Sequence, residues 1–304
     1  MSVHANSLRI RRIAQGILDL PTLPTVVAKI VQLVDNPRTN AATLARLISS
    51  DPALTARMLK MANSAYYGFP RRIGTINLAI VVLGFNTVRD LAVSASLVER
   101  VSMSRQGDGL LEDFWEHSVS TAVAARMLQR SARGASVGEA FVAGLLHDIG
   151  RLVVARYLPE EAARVQEALA QDEHPISQVE LEILGMDHGG IGGSLCKHWS
   201  LPESICEAIA LHHQPMAKPE RDPLACIVHV AEYMAHRSGR NPHQEGRLRG
   251  VEEGVADLLG LRRNAKGELD LIWYLEKFQA ELQRAELFRD LLLGRAVPEA
   301  DDGA

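Results

Sequence analysis

The sequence predicts an all-α protein, on three observations. Apolar residues recur at helical spacing through most of the 304 residues. Alternating Val/Thr/Tyr runs bounded by hairpin turns are absent. Pro, Gly and Asp residues fall where they start or stop helices. No internal repeat of about 20–50 residues is visible, which argues against a solenoid.

The elements follow in order. Residues 25–34 (TVVAKIVQLV) put Val26, Ile30, Leu33 and Val34 on one stripe, and Asn36-Pro37 stops them. Ahead of them the two prolines of Leu20-Pro21-Thr22-Leu23-Pro24 force extended backbone, leaving Thr22 or Thr25 to cap the helix. A helix over 41–49 ends before Ser50-Asp51-Pro52, where Asp51 reads as an N-cap and Pro52 as a first helical residue. The next, 53–63, turns Leu54, Met58 and Met61 inward and breaks at Tyr66-Tyr67-Gly68-Phe69-Pro70. Helices over 76–82 and 88–97 are parted by Gly84-Phe85-Asn86, and 101–110 reads as a surface connection. Further helices are predicted over 114–128, 138–157, 160–171, 175–184, 189–199, 202–211 and 226–235. Residues 236–250 read as a linker or exposed loop, followed by helices over 251–259 and 271–293 and a frayed tail from Val297.

Composition narrows the function classes. With 47% hydrophobic residues and a mean hydropathy of −0.02, the chain buries a core as one large domain or two ordinary ones. Lys and Arg total 33 against 37 Asp and Glu, a net charge of −4. That balance suits neither bulk nucleic-acid binding nor attraction to anionic membranes. Arg237, Arg240, Arg247 and Arg249 are read as a solvated loop. The longest apolar stretch, Ile73 to Val88, falls short of a membrane span and reads as a core helix, and no secretory signal is visible. Cys196, Cys206 and Cys226 form no paired framework, which points to small buried hydrophobes in a reducing, cytoplasmic compartment.

The eleven histidines carry the chemistry. His117, His147, His188, His212 and His213 fall on or at the ends of separate predicted helices, and Asp148 follows His147 directly. Imidazole and carboxylate donors presented from several rigid elements are what a metal site needs. Glu232, in the helix over 226–235, supplies a further carboxylate. A lone His, or a lone His-Asp pair, is usually an ordinary residue. Five buried imidazoles without a metal would instead face desolvation and mutual repulsion. His4, His174, His198, His229, His236 and His243 are read as ordinary, with His229 a candidate supporting residue three positions before Glu232.

The order His117, His147-Asp148, His188, His212-His213 and a final acid is similar to that of the HD-superfamily metal-dependent phosphohydrolases. Within it, Leu20-Pro21-Thr22-Leu23-Pro24, Ser50-Asp51-Pro52-Ala53-Leu54, residues 60–65 (KMANSA) and Ile73 through Leu83-Gly84 resemble HDOD domains closely. So do residues 114–118 (FWEHS), 143–150 (AGLLHDIG) and 199–202 (WSLP), and the likeness covers about residues 15–236. The resemblance implies an HD-domain, phosphodiesterase-like helical bundle. An N-terminal helical subdomain would span 15–105, a metal-site half 111–236, and a linker with a C-terminal helical extension 237–304. It also implies a bacterial signalling role, in a family whose members are generally non-enzymatic because many have lost the metal ligands.

This sequence keeps them. The ligand positions of related HD-GYP phosphodiesterases, which hydrolyse cyclic di-GMP, match His117, His147, Asp148, His188, His212 and His213, with Glu232 in place of the final Asp. An extra acidic ligand would correspond to Asp113, one turn before His117. The Lys expected after His-Asp-Ile-Gly is Arg151, still able to hold a phosphate. The Gly-Tyr-Pro loop is missing, and residues 214–219 read QPMAKP.

The expectation is therefore a cytoplasmic HDOD signalling protein holding a divalent centre of Fe, Mn, Ni or Zn, two ions in number. It would be regulatory rather than an efficient enzyme, with signalling proteins or a phosphate-bearing small ligand as partners. The alternative is a metal-dependent phosphohydrolase of unknown substrate, cyclic nucleotides included, with Asp148 and Arg151 catalytic. In the segment 271–293, Trp273, Leu275, Phe278, Leu282, Leu287 and Leu291 recur at near-helical spacing. Packing back onto the domain is the favoured use of that stripe, and a homodimer through it the other.

Overall fold

The computed structural model describes residues 12–290 apart from 19–23, 35, 65, 70, 103–108, 134–137, 172–173, 219–222, 240–249 and 287–288. Thr22, the tail from Val297, and Arg240, Arg247 and Arg249 of the basic loop lie outside the described residues. Among those described there are helices and one isolated antiparallel bridge, Arg263 with Leu269, but no strand. The all-α expectation is met.

A short helix, α1 (residues 12–18), sets Arg12 and Gly16 against Tyr157 and Glu161. A first layer comprises α2 (Thr25–Val34), α3 (Ala41–Ser49) and α4 (Pro52–Ala62), packed on α5 (Ile76–Ser102). Local chemistry sets the ends. Asp51 accepts a 3.0 Å bond from the Leu54 N–H with Pro52 behind it, and Asn40 does the same for Thr43 at 2.9 Å. The helix at Thr25 instead starts from the Pro24 carbonyl, which accepts from Ala28 N–H. Asn63, past the end of α4, clamps the main chain of Ile73 through two bonds of 2.7 and 2.9 Å and so closes the Tyr66–Phe69 turn.

Gly84 interrupts α5 with φ 82° and ψ 164°, which no helix contains. The break falls where the sequence placed it. Ile76–Ser96 is apolar and long enough to cross a membrane by composition, but half of it is buried in the protein. The kink leaves a first arm of only about 12 Å, so it serves as a core element.

The second layer holds α6 (Gly109–Gln129), α7 (Ala140–Leu146), α8 (Ile149–Tyr157), α9 (Pro159–Gln171), α10 (Ile176–Leu184), α11 (His188–His198), α12 (Glu203–Leu211) and α13 (Pro223–Arg237). α6 packs against α7 and α13, and α11 against α8 and α12. Three expectations need correction. The helix predicted over 138–157 is two helices, broken at His147-Asp148. The connection expected over 101–110 is partly helical, because α5 runs to Ser102 and α6 starts at Gly109. The helix predicted over 251–259 shrinks to α14 (Val255–Leu258), since Gly254 enters it left-handed at φ 83°.

The C-terminal segment returns to the core. α15 (Leu271–Arg284) lies on α6 and α13. It buries Tyr274, Phe278 and Leu282, whereas Trp273 and Leu275 only flank them and Leu287 and Leu291 lie outside the described residues. This face is thus used within the chain. The three cysteines are buried and free.

Candidate metal centre

Five helix ends and faces converge on one buried cluster. α6 carries His117 along its length. The α7–α8 break carries His147 and Asp148; Asp148 leaves helical geometry at φ −95° and ψ 4°, so two neighbouring side chains turn to the same side. His188 opens α11, whose N-cap Asp187 accepts from Gly190 N–H at 2.9 Å. His212 and His213 follow the end of α12, and Glu232 lies on α13. All are buried except His213, which is partly so.

Close backbone approach makes this convergence possible. A Cβ at Gly150 would lie 2.0 Å from the His188 carbonyl oxygen, and one at Gly193 would lie 2.8 Å from the Cys206 carbonyl oxygen. Glycine at these crossings lets α8, α11 and α12 approach until their donors meet.

The donors form overlapping groups whose ligand atoms lie within 4.8 Å of one another: His188, His212 and His213; His117, His147 and Asp148; Asp148, His212 and Glu232; and His117, Glu232 and His236. His117 Nε2 faces His147 Nε2 at 3.2 Å, and His213 Nε2 faces His188 Nε2 at 2.8 Å. Asp148 sits between the groups. Its Oδ1 is 3.0 Å from His188 Nε2 and 3.6 Å from His147 Nε2, and its Oδ2 is 3.0 Å from Arg151.

The outer ring nitrogens fix the orientation of the inner ones. His147 Nδ1 lies 2.8 Å from the Gly144 carbonyl, and His212 Nδ1 2.6 Å from that of Ile209. With those protons committed outward, each Nε2 turns its lone pair inward, as a metal-bound imidazole requires. His188 Nδ1 is held by Glu180 Oε2 at 2.5 Å, which also accepts the His188 main-chain N–H at 2.8 Å. His229 Nδ1–H donates to the His212 carbonyl at 2.8 Å, and its Nε2 accepts the Glu252 N–H at 3.1 Å.

Electrostatics separate the donors. Burial, helped by His147 and His236, holds His117 well below the usual histidine range; burial and His212 do the same to His213. Burial opposes the charged form of His188 as well, but Glu180 and Asp148 outweigh it and hold this imidazole well above. Burial also works against ionised Asp148 and Glu232. Neighbouring His147 and Arg151 hold Asp148 down, and His213 and His236 hold Glu232 down.

Neutral imidazoles at His117 and His213 beside ionised Asp148 and Glu232 form a donor set suited to borderline divalent ions. His188 joins it by giving up the proton that Glu180 and Asp148 hold on it. The fit also shows in orphaned atoms: His212 Nε2 is buried with no hydrogen-bond partner among the described residues. Such an atom is costly in a dry interior, and a cation would satisfy it.

The structure therefore brings His117, His147, Asp148, His188, His212, His213 and Glu232 together, with Arg151 on Asp148. Asp113 is half-buried and belongs to none of the four groups. Two further residues join the cluster. His236, read from sequence as ordinary, joins His117 and Glu232; its place one turn after Glu232 was the available signal. Glu180 gave none, because the left-handed Gly185 at the end of α10 folds it back onto His188.

The HDOD domain profile matches residues 20–215. This chain belongs to the HDOD family. The match ends before Glu232 and His236, so the last carboxylate and its neighbour lie beyond it. An uncharacterised protein of Treponema pallidum (strain Nichols) is 29% identical over 236 residues, 77% of this chain and 45% of the relative. The HDOD chain thus spans about half the length of that relative. Among solved structures, a candidate phosphohydrolase from Shewanella amazonensis SB2B is 26% identical, with a TM-score of 0.71 over 92% of this chain and 98% of its own. A candidate signal-transduction protein from Marinobacter aquaeolei VT8 shares the fold at 24% identity, with a TM-score of 0.73 over 94% of this chain and 66% of its own. The HDOD chain carries buried residue groups able to hold a metal.

Proposed function

We propose that this chain is a regulatory HDOD protein of the bacterial cytoplasm that keeps an HD-type centre for two divalent ions. His188, His212 and His213 would hold one, and His117, His147 and Asp148 the other, with Glu232 facing both. The observation that carries this reading is the partnerless buried Nε2 of His212 among inward-turned imidazoles. When bound, Fe, Mn, Ni or Zn would supply Lewis acidity and a point of attachment for a phosphate-bearing ligand. The chain's own contribution is orientation: Gly144, Ile209 and Glu180 aim the rings, and Arg151 keeps a guanidinium beside Asp148. Three free thiols suit a reducing compartment. The name of the Marinobacter protein supports the signalling role, and signalling proteins are the partners we expect. Elemental mass spectrometry of the purified protein tests the centre. Stoichiometric divalent metal that falls in His147→Ala supports it; no metal in the parent refutes it.

A second reading, metal-dependent phosphohydrolase, has its own support. Arg151 touches Asp148 at 3.0 Å while its side chain stays 23% exposed, so a guanidinium at the rim can meet an incoming phosphate. The Shewanella protein is named for such an activity. Against cyclic di-GMP stands the segment after the histidine pair, which reads QPMAKP over 214–219 where a Gly-Tyr-Pro loop is expected. Turnover of phosphodiesters or cyclic nucleotides by the Mn²⁺-loaded protein, lost in Asp148→Ala, would establish this reading over the first.

A further inference from the structure

We propose that His236 is a metal ligand, and that with His117 and Glu232 it forms a further cation position at the α6–α13 contact. This position shares His117 and Glu232 with the centre proposed above and differs from it in drawing on His236. The inference rests on the metal-centre reading and enlarges it by a residue outside the expected ligand series.

Three features of the structure converge on this position. Ligand atoms of His117, Glu232 and His236 lie within 4.8 Å of one another, and all three residues are buried. His236 is only 8% exposed, yet neither of its ring nitrogens has a hydrogen-bond partner among the described residues. A neutral imidazole normally places one donor and one acceptor, so leaving both unused in the interior is costly unless something else is bound. His117 also has its Nδ1 buried without a hydrogen-bond partner among the described residues. Its ring meets that of His236 at 4.7 Å between centroids, so the two imidazoles border one space.

Glu232 is oriented for two neighbours at once. Its Oε2 lies 3.9 Å from His212 Nε2 and 3.8 Å from His213 Nδ1, while its Oε1 lies 3.6 Å from His236 Nε2. These gaps are too long for hydrogen bonds. Two donors about 2.1 Å from a shared ion stand roughly 3.0–3.4 Å apart, so a small inward movement would suffice for coordination. A carboxylate with one oxygen toward each imidazole set is placed to bridge. The helix supplies the register, since Glu232 and His236 are four residues apart on the same face of α13. His236, on α13, thus adds a donor facing His117 of α6. Two imidazoles and a carboxylate suit a divalent first-row ion such as Zn²⁺, Mn²⁺ or Fe²⁺.

The test compares the full chain with His236→Phe, which fills the space without a donor, and His236→Cys, which offers a thiolate. Each protein is stripped, reloaded with Zn²⁺ or Co²⁺, and analysed by elemental mass spectrometry and absorption. His236→Phe is expected to hold one ion fewer per chain than the parent while keeping the rest. His236→Cys loaded with Co²⁺ is expected to gain a near-ultraviolet thiolate-to-cobalt band that the parent lacks. Circular dichroism checks folding; if the Phe variant does not fold, the Cys band decides. A folded Phe variant with the parent's full complement, or a loaded Cys variant without the band, overturns the proposal while leaving the centre intact. A parent that binds no ion overturns both.

Discussion

The two layers bury charge in opposite ways. In the layer of α2–α5 the interior is aliphatic, with Ile30, Leu44 and Ile48 fully buried, and its buried acid is Asp90. Burial pushes the Asp90 carboxyl up to about 7, although Arg89 and Arg126 pull the other way. Arg126 itself lies over the rings of Tyr66 and Tyr67, so its charge is shared. In the second layer Asp148 and Glu232 are as deeply buried, yet both are held well below the carboxylate range. Burial alone drives an acid toward neutrality, and only a crowd of nitrogen donors reverses it. The reversal marks the place where the protein keeps anionic oxygen in its interior, as a site for a cation should.

Four variants test that contrast. The largest effect is expected from Gly150→Ala, where the new methyl meets main chain rather than a movable side chain. We expect a loss of about 3 kcal/mol or more on chemical denaturation and loss of metal binding; parent-like values would show that α8 and α11 can part freely.

Asp90→Asn comes next. An acid whose folded pKa is raised from 3.8 to about 7 binds its proton more tightly folded than unfolded, so it costs stability as pH rises across that window. The unfolding free energy of the variant, measured by chemical denaturation, should therefore gain on the parent between pH 4 and pH 8, by at most about 4 kcal/mol. A pH-independent difference would show that Asp90 ionises normally.

Glu180→Gln keeps the shape but removes the anion behind His188. Metal affinity, measured against a chelator, should fall by about 10–100-fold, and the metal-free protein should lose stability as well, because buried His188 loses its counter-anion. An unchanged affinity would make Glu180 a mere cap. The smallest effect belongs to Ile272→Ser at 75% exposure on α15, expected within about 0.5 kcal/mol and without effect on mass in solution. A change in mass would reveal a dimer contact beside the packed stripe.

Much of this fold is legible in local chemistry. Asp51-Pro52 starts α4 and Gly84 breaks α5 where sequence reasoning puts them, because caps and left-handed glycines act over a few residues. The helix break at His147-Asp148 is legible only in part: the pair suits a helix end, where both side chains can turn to one ion. Both residues nevertheless sit in an apolar run whose period continues across the break, and the bend answers to α11 crossing at Gly150. The same limit applies to the site. The histidine series can be read along the chain, whereas Glu180 joins it only through the turn at Gly185, and Asp113 shares a helix with His117 without joining its groups. The shortened helix near 255 is a similar case, its start set by a left-handed glycine that packs beside Met216.

The ring of His229 has a mechanical consequence. One nitrogen grips the main chain at His212, and the other grips it at Glu252. Two stretches forty residues apart are thereby riveted through a single flat plate, whose both edges are in use. The chain at residue 252 is tied, through one side chain of α13, to the main chain that carries the paired histidines.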